Sequence, residues 1–229
     1  MVKAPLFFHK VRDTGDGLPS DFKLHTFPDM KSHSIYPLLA CLSLAALIAP
    51  RAAAEGDSMS EILLDDFRTG VSSLGTRWEG FSDRVMGGIS DLRLGIEADS
   101  EGPYLALTGD VRLENRGGFI QARLLLKEGK TSRYDGSRHR GIRLIARGSG
   151  DGYYIFLRTT SMVFPWAFYM APIPVTEEWT EIRIPWSAFE KGDFGAAFPL
   201  DVSKLKSLAV TAYKKAFRAR LHLREIGFY

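Results

Sequence analysis

The run Glu114-Asn115-Arg116-Gly117-Gly118-Phe119-Ile120-Gln121-Ala122-Arg123-Leu124-Leu125-Leu126 carries the pattern in which most of the chain is written. Turn-forming residues end in two adjacent glycines, and an alternation of period two follows, the mark of a half-buried strand. Outward from it the same grammar recurs: Ile62 to Phe67, Leu92 to Ile96, Tyr104 to Leu107, Val111 to Leu113, Gly141 to Ile145, Tyr153 to Arg158, Ala167 to Ile173, Trp179 to Trp186, Ser207 to Tyr213 and Leu221 to Phe228 read as strands. Turn chemistry separates them at Asp99 to Pro103, Asn115 to Gly117, Tyr134 to Gly136 and Gly148 to Gly152, the last read as a hairpin turn. Helix is expected only as short pieces, Ser187 to Glu190 and Asp201 to Lys206. About ten short strands without regular intervening helices exclude a parallel α/β fold. They predict an all-β antiparallel β-sandwich or jelly roll.

A second glycine pair stands in similar surroundings, Asp83-Arg84-Val85-Met86-Gly87-Gly88-Ile89-Ser90. Paired glycines allow backbone angles that other residues resist and let another group come close to the main chain. The groups beside them are able to grip a partner, so the candidate binding residues are Asp83, Arg84, Met86, Gly87, Gly88, Ser90, Asn115, Gly117, Gly118, Phe119, Arg123 and Trp166. Each has a purely structural alternative. Arg84 clamps a ligand, or pairs with Asp83 or Asp91. Met86 lines a partner groove or fills the core, and core is the expectation, since methionine packs adaptably. Asn115 with Gly117-Gly118 makes a turn by local chemistry alone. Trp78, Trp179 and Trp186 are expected as buried anchors. Trp166, after Phe164-Pro165, falls in an apparent loop, where Met162 to Phe168 would form an exposed apolar patch if the loop projects.

The first 54 residues are of another kind. Met30 to Tyr36 is a short basic head, Pro37 to Ala49 an apolar run of 13 residues, and Pro50-Arg51-Ala52-Ala53-Ala54 a small-x-small ending. That is the form of a secretory signal peptide starting at an internal methionine. The apolar run is short of the roughly 20 residues a membrane-spanning helix needs, so no stable membrane span is expected after cleavage. Residues 1–29 carry Asp13, Asp16, Asp21 and Asp29, unlike an organellar transit peptide, and read as an over-extended start. The sole cysteine, Cys41, lies within the apolar run, so a chain matured after Ala54 has no disulfide, thiolate nucleophile or cysteine metal ligand. Residues 55–229 hold 24 Lys and Arg against 23 Asp and Glu, a balance that gives no general affinity for nucleic acid. They suit one domain with its own core.

Catalytic patterns are sparse. The mature chain has two histidines, His139 and His222, neither in metal-ligand spacing. It has no G-x-S-x-G elbow, and Gly148 to Gly152 lacks the Lys-Ser/Thr of a phosphate loop. Asp65, Asp66 and Asp83 leave a two-carboxylate glycosidase formally open, because sequence does not give the separation of carboxyl groups. No cofactor or metal is expected.

Trp78 followed by Ser82 to Ser90, Glu114 to Phe119 with Arg123, Gly141-Ile142-Arg143-Leu144 leading to Gly152-Tyr153-Tyr154, and Trp179 to Phe189 together resemble the NADH:ubiquinone oxidoreductase (complex I) intermediate-associated protein 30 family. The resemblance covers essentially all of residues 55–229 and implies a galactose-binding-like jelly roll. In the mitochondrial members it implies a non-enzymatic role in assembling the respiratory complex. The chain departs from the family in Ile120-Gln121, where small residues are usual, and in the signal that precedes the domain. The expectation is therefore a non-catalytic binding or assembly module with a protein partner, periplasmic or secreted. The alternatives are an extracytoplasmic carbohydrate-binding module with tryptophan and arginine lining one concave sheet, and an enzyme on cell-envelope glycans with two facing carboxylates.

Overall fold

The computed structural model describes residues 61–229, apart from 128, 130, 131, 165, 194, 195 and 197. The predicted signal segment, Cys41 and residues 1–29 lie outside the described residues. Twelve strands run in chain order: β1 (Ile62–Asp65), β2 (Trp78–Ser82), β3 (Arg93–Asp99), β4 (Gly102–Val111), β5 (Phe119–Leu125), β6 (Gly141–Ser149), β7 (Tyr153–Thr159), β8 (Tyr169–Pro172), β9 (Thr180–Pro185), β10 (Glu190–Lys191), β11 (Leu205–Tyr213) and β12 (Phe217–Phe228). They form two six-stranded sheets. The first has the order β3-β4-β12-β6-β9, with β1 paired to the end of β12; the second is β10-β8-β7-β11-β5-β2. Every strand pair is antiparallel.

Alternation explains why two sheets face each other. In β5 Ile120, Ala122 and Leu124 turn inward, and in β11 Leu208, Val210 and Ala212 do the same. From the first sheet Leu105, Leu107, Leu144, Leu221, Leu223, Ile182 and Ile184 meet them in one buried cluster. This is the all-β sandwich that the period-two pattern predicts. Burial of such side chains stabilises by roughly 1.5–3 kcal/mol apiece, enough in sum to offset the ordering of the chain.

Local chemistry alters several boundaries. The strand expected over Tyr104 to Leu107 runs on through Val111 as one continuous β4, because Gly109 at φ +146° lets the Asp91 carbonyl pass where a Cβ would stand 1.9 Å away, while Arg112 and Leu113, expected in a second strand, lie beyond its end. The strand β2 escapes a sequence pattern because Gly80 interrupts its alternation, leaving room for Leu92 and Leu94. Gly148 to Gly152 is not a hairpin turn: it carries the chain from β6 in the first sheet to β7 in the second. The two short helical pieces are single 3-10 turns, Trp186–Ala188 and Val202–Lys204.

Candidate functional site

Each glycine pair lies on a crossover between the sheets. Ser82 to Leu92 leads from β2 to β3, and Arg112 to Gly118 leads from β4 to β5. Asp83 ties them together. It opens a 3-10 turn (Asp83–Met86) capped by the Ser82 hydroxyl, and its side chain is fully buried. Its Oδ1 accepts the Ser90 N–H at 2.9 Å, and its Oδ2 accepts the Gly118 N–H at 2.6 Å, the Phe119 N–H at 3.3 Å and a short bond from the Ser90 hydroxyl. Burial pushes this carboxyl up. The Ser90 hydroxyl and the backbone donors of Gly118, Ser90 and Phe119 outweigh it and hold the group below the usual carboxylate range.

The glycines follow from this clamp. A Cβ on Gly88 would lie 2.3 Å from the Asp83 carboxyl carbon, and one on Gly117 would lie 2.5 Å from Oδ2. Gly87 and Gly118 instead supply left-handed or extended positive φ, +89° and +127°. Within each pair, then, one glycine makes room for Asp83 and the other turns the chain. Asn115 adopts φ +56°, which asparagine tolerates better than most.

Asp83, Gly88, Ser90 and Gly118 are buried, so they hold the crossovers and present nothing to a partner. Arg84 does not pair with Asp83; its Nε donates to the Ser90 carbonyl at 2.9 Å and its Nη2 stands 3.8 Å from Asp91. Met86 is not a core residue. It is 59% exposed, beside the still more exposed Val85 and near Ile89, because the 3-10 turn spends its inward position on Asp83.

Arg123 lies elsewhere, on the outer face of the second sheet, and that face has an unusual centre. Ser207, Ala209 and Thr211 of the central strand β11 point outward, opposite in register to Leu125, Arg123 and Gln121 of β5 and to Arg158, Phe156 and Tyr154 of β7. Small residues flanked by large ones let the neighbouring side chains close over β11: all three of these residues are buried, and Ala209 packs with Phe156 and Phe168 in a second, smaller apolar cluster. Phe156 stacks on Phe168 at 4.0 Å, and Tyr213 meets both edge-on. Burial and then Asp193, which accepts from its hydroxyl at 2.8 Å, push the Tyr213 phenol far up, so it stays protonated. Arg123 lies over Phe81 at 4.3 Å and reaches Glu79 at 2.8 Å. On the other side of β11 Arg158 donates from Nη2 to the Phe164 carbonyl at 3.1 Å. In the same loop as Phe164, Trp166 is half exposed and stacks on exposed Phe164 at 5.2 Å; of the stretch Met162 to Phe168 expected as an exposed patch, Ala167 and Phe168 are buried.

Other polar groups are spoken for. Trp78 donates to buried Asp65, which also accepts the Phe67 N–H at 2.8 Å. Trp179 sits between Arg147 (4.4 Å) and Arg224 (4.0 Å), both bonded to Asp99. Trp186 donates to the His139 carbonyl. His139 is buried against Tyr134 and Phe228, and His222 stacks on Tyr104 at 4.7 Å. Burial, followed by Arg147, holds His222 below its ordinary value, hence neutral. Among the described residues no three His, Cys, Asp or Glu side chains are placed to hold a metal ion, and no helix is long and apolar enough to cross a membrane.

The family described as Complex I intermediate-associated protein 30 (CIA30) matches residues 66–222, which includes both glycine pairs and the clamp between them. The chain belongs to that family. Among curated proteins no sequence matches it. The CIA30 domain is similar in fold to the family 11 carbohydrate-binding module of the cellulosomal cellulase Lic26A-Cel5E of Clostridium thermocellum, with TM-score 0.58 and 18% identity over 74% of this chain and 94% of that one. It is also similar to the family 11 module from Clostridium thermocellum in complex with a β-1,3-1,4-mixed-linked tetrasaccharide (TM-score 0.56, 17% identity, 73% and 94% covered). A family 30 module of the cellulosomal cellulase Cel9D-Cel44B of the same organism follows (TM-score 0.52, 15% identity, 74% and 97% covered).

Of this outer face, sequence patterns point to Arg123 and, in the loop beside Arg158, to Trp166. The signal for the rest is Tyr153-Tyr154-Ile155-Phe156-Leu157-Arg158, a strand with no ordinary polar face. A strand of an antiparallel sandwich with one solvated face should alternate to polar. Where it does not, the outer face is recessed or covered.

Proposed function

We propose that this CIA30 protein is a non-catalytic binding module serving the assembly of a larger protein complex, and that it is exported to the periplasm or beyond. The observation that carries the reading is the ridge of Val85 and Met86, 70% and 59% exposed, held out on a turn whose base is fastened by Asp83. Apolar side chains fixed in water on an anchored turn suit a partner surface better than a lone mobile side chain does, since little order remains to be imposed on binding. Two of the carboxylates that leave a glycosidase open on sequence grounds, Asp65 and Asp83, are buried and bonded into the fold, which favours binding over hydrolysis.

Cross-linking in envelope extracts tests it. The double variant Val85→Ser, Met86→Asp should lower recovery of the wild-type partner at least tenfold, about 1.4 kcal/mol, with an unchanged melting temperature because both side chains are exposed. Undiminished recovery by the folded variant would refute this surface, and turnover of an envelope glycan by pure wild-type protein would refute the non-catalytic reading.

A second reading has its own support. The outer face over β11, with Arg123 and Arg158 on either side and the exposed Phe164–Trp166 pair in the loop beside Arg158, is the kind of surface on which a sugar ring stacks, so glycan recognition is a parallel use of the same domain.

A further inference from the structure

Two guanidinium groups flank β11 on the outer face of the second sheet with their charges unevenly matched. Arg123 and Arg158 stand on either side of β11, opposite Ala209 and Ser207. The Nε of each is buried without a hydrogen-bond partner, as is the hydroxyl of fully buried Thr211 on β11. Arg123 has the exposed Glu79; Arg158, among the described residues, has no carboxylate within ion-pair distance and only the Phe164 carbonyl. Burial, with Arg123 nearby, pulls Arg158 below its ordinary value. A half-buried cation facing a second cation is costly. On the opposite sheet the Nε of Arg224 is likewise without a partner, but there Arg147 and Arg224 share the Asp99 carboxylate, so the contrast is one of charge.

We infer that this face takes an acidic saccharide whose anionic group docks between Arg123 and Arg158 while a sugar ring lies on the Phe164–Trp166 pair. An oxyanion supplies what the site lacks: acceptors for guanidinium forks and a negative charge between two positive ones. Phe164 links the two halves, since its carbonyl holds Arg158 and its ring stacks on the indole of Trp166. A neutral glucan offers hydroxyl acceptors without charge and leaves the Arg158 cation uncompensated. The inference rests on the glycan reading above and narrows it to one class. Carboxylate and sulfate ester share the chemistry, so both enter the test.

Titration calorimetry on the whole protein, with an oligogalacturonide, a κ-carrageenan oligosaccharide that is sulfated without carboxylate, and a neutral mixed-linked β-glucan oligosaccharide, separates the outcomes. The expected result is binding of at least one acidic oligosaccharide at least tenfold tighter than the neutral one, weakened by added salt. Whichever acidic ligand binds identifies the anion. Arg158→Gln should reduce that affinity at least tenfold while the melting temperature stays level or rises, a readout that a merely structural arginine would move downward. If Arg158→Gln fails to fold, Arg123→Gln and the salt dependence of the wild type decide the same question. Equal binding of neutral and acidic ligands, unaffected by either substitution, overturns the acidic specificity and leaves glycan recognition standing. No binding of any of the three at millimolar concentration overturns both.

Discussion

At the scale of single residues, the domain turns on one carboxylate. Asp83 accepts four hydrogen bonds from Ser90, Gly118 and Phe119 and so fastens two crossovers 35 residues apart. Asp83→Asn keeps the shape but removes the charge and replaces one acceptor with a donor facing backbone N–H groups. The expected loss is about 3 kcal/mol, read from urea unfolding at neutral pH. The pH dependence has a definite sign. Because the folded group titrates below its unfolded value, its contribution is complete above about pH 4 and fades as pH falls through the folded value. Wild type should therefore lose stability on acidification through that window more steeply than Asp83→Asn does. Parallel acid profiles of the two proteins would contradict the clamp.

At the scale of elements, the crossovers show what a sequence reveals and what it hides. The paired glycines of both loops are visible in it, and so is the alternation that makes β5, β7 and β11 strands. The division of labour within each pair is not, because it depends on a side chain brought in from a distant loop. Met86 departs from its expected place in the core for the same reason: on a 3-10 turn the inward position has already gone to Asp83, which no period-two or period-3.6 rule anticipates. Arg123 and Trp166 stand out separately in the sequence, but the outer face that Arg123 shares with Arg158 forms from strands far apart in the chain and leaves no local motif. Alanine substitutions separate the glycine roles. Gly88→Ala drives a methyl into the Asp83 carboxyl and should cost about 2–3 kcal/mol. Gly87→Ala meets open space and bears only the left-handed backbone, about 1 kcal/mol. Gly95→Ala, with open space and ordinary angles, serves as the control and should stay within about 0.5 kcal/mol. Equal thermal shifts for Gly87→Ala and Gly88→Ala would contradict the assignment.

At the scale of the whole molecule, the two sheets present two different outer surfaces, one with its charges matched around Trp179 and one with Arg123 and Arg158 unevenly matched across β11, while the apolar ridge of Val85 and Met86 stands at the crossovers. The side of the membrane on which these surfaces work decides their partners. Maturation after Ala54 is the export proposal in measurable form: sequencing the N-terminus of the endogenous protein should give Glu55, and a terminus upstream of Met30 would sink it. The sheet order has a kinetic consequence as well. The strand β12 fills the centre of the first sheet between β4 and β6 and also holds β1, pairing Ile62 with Phe228. Contacts so distant along the chain place the domain among slow folders, on the millisecond-to-second scale. Until β12 docks, β4 and β6 each expose an unsatisfied edge to any neighbouring molecule. During that interval the domain's hazard is pairing with another copy of itself, and the rate at which one strand finds its gap sets how much of the protein survives to meet its partner.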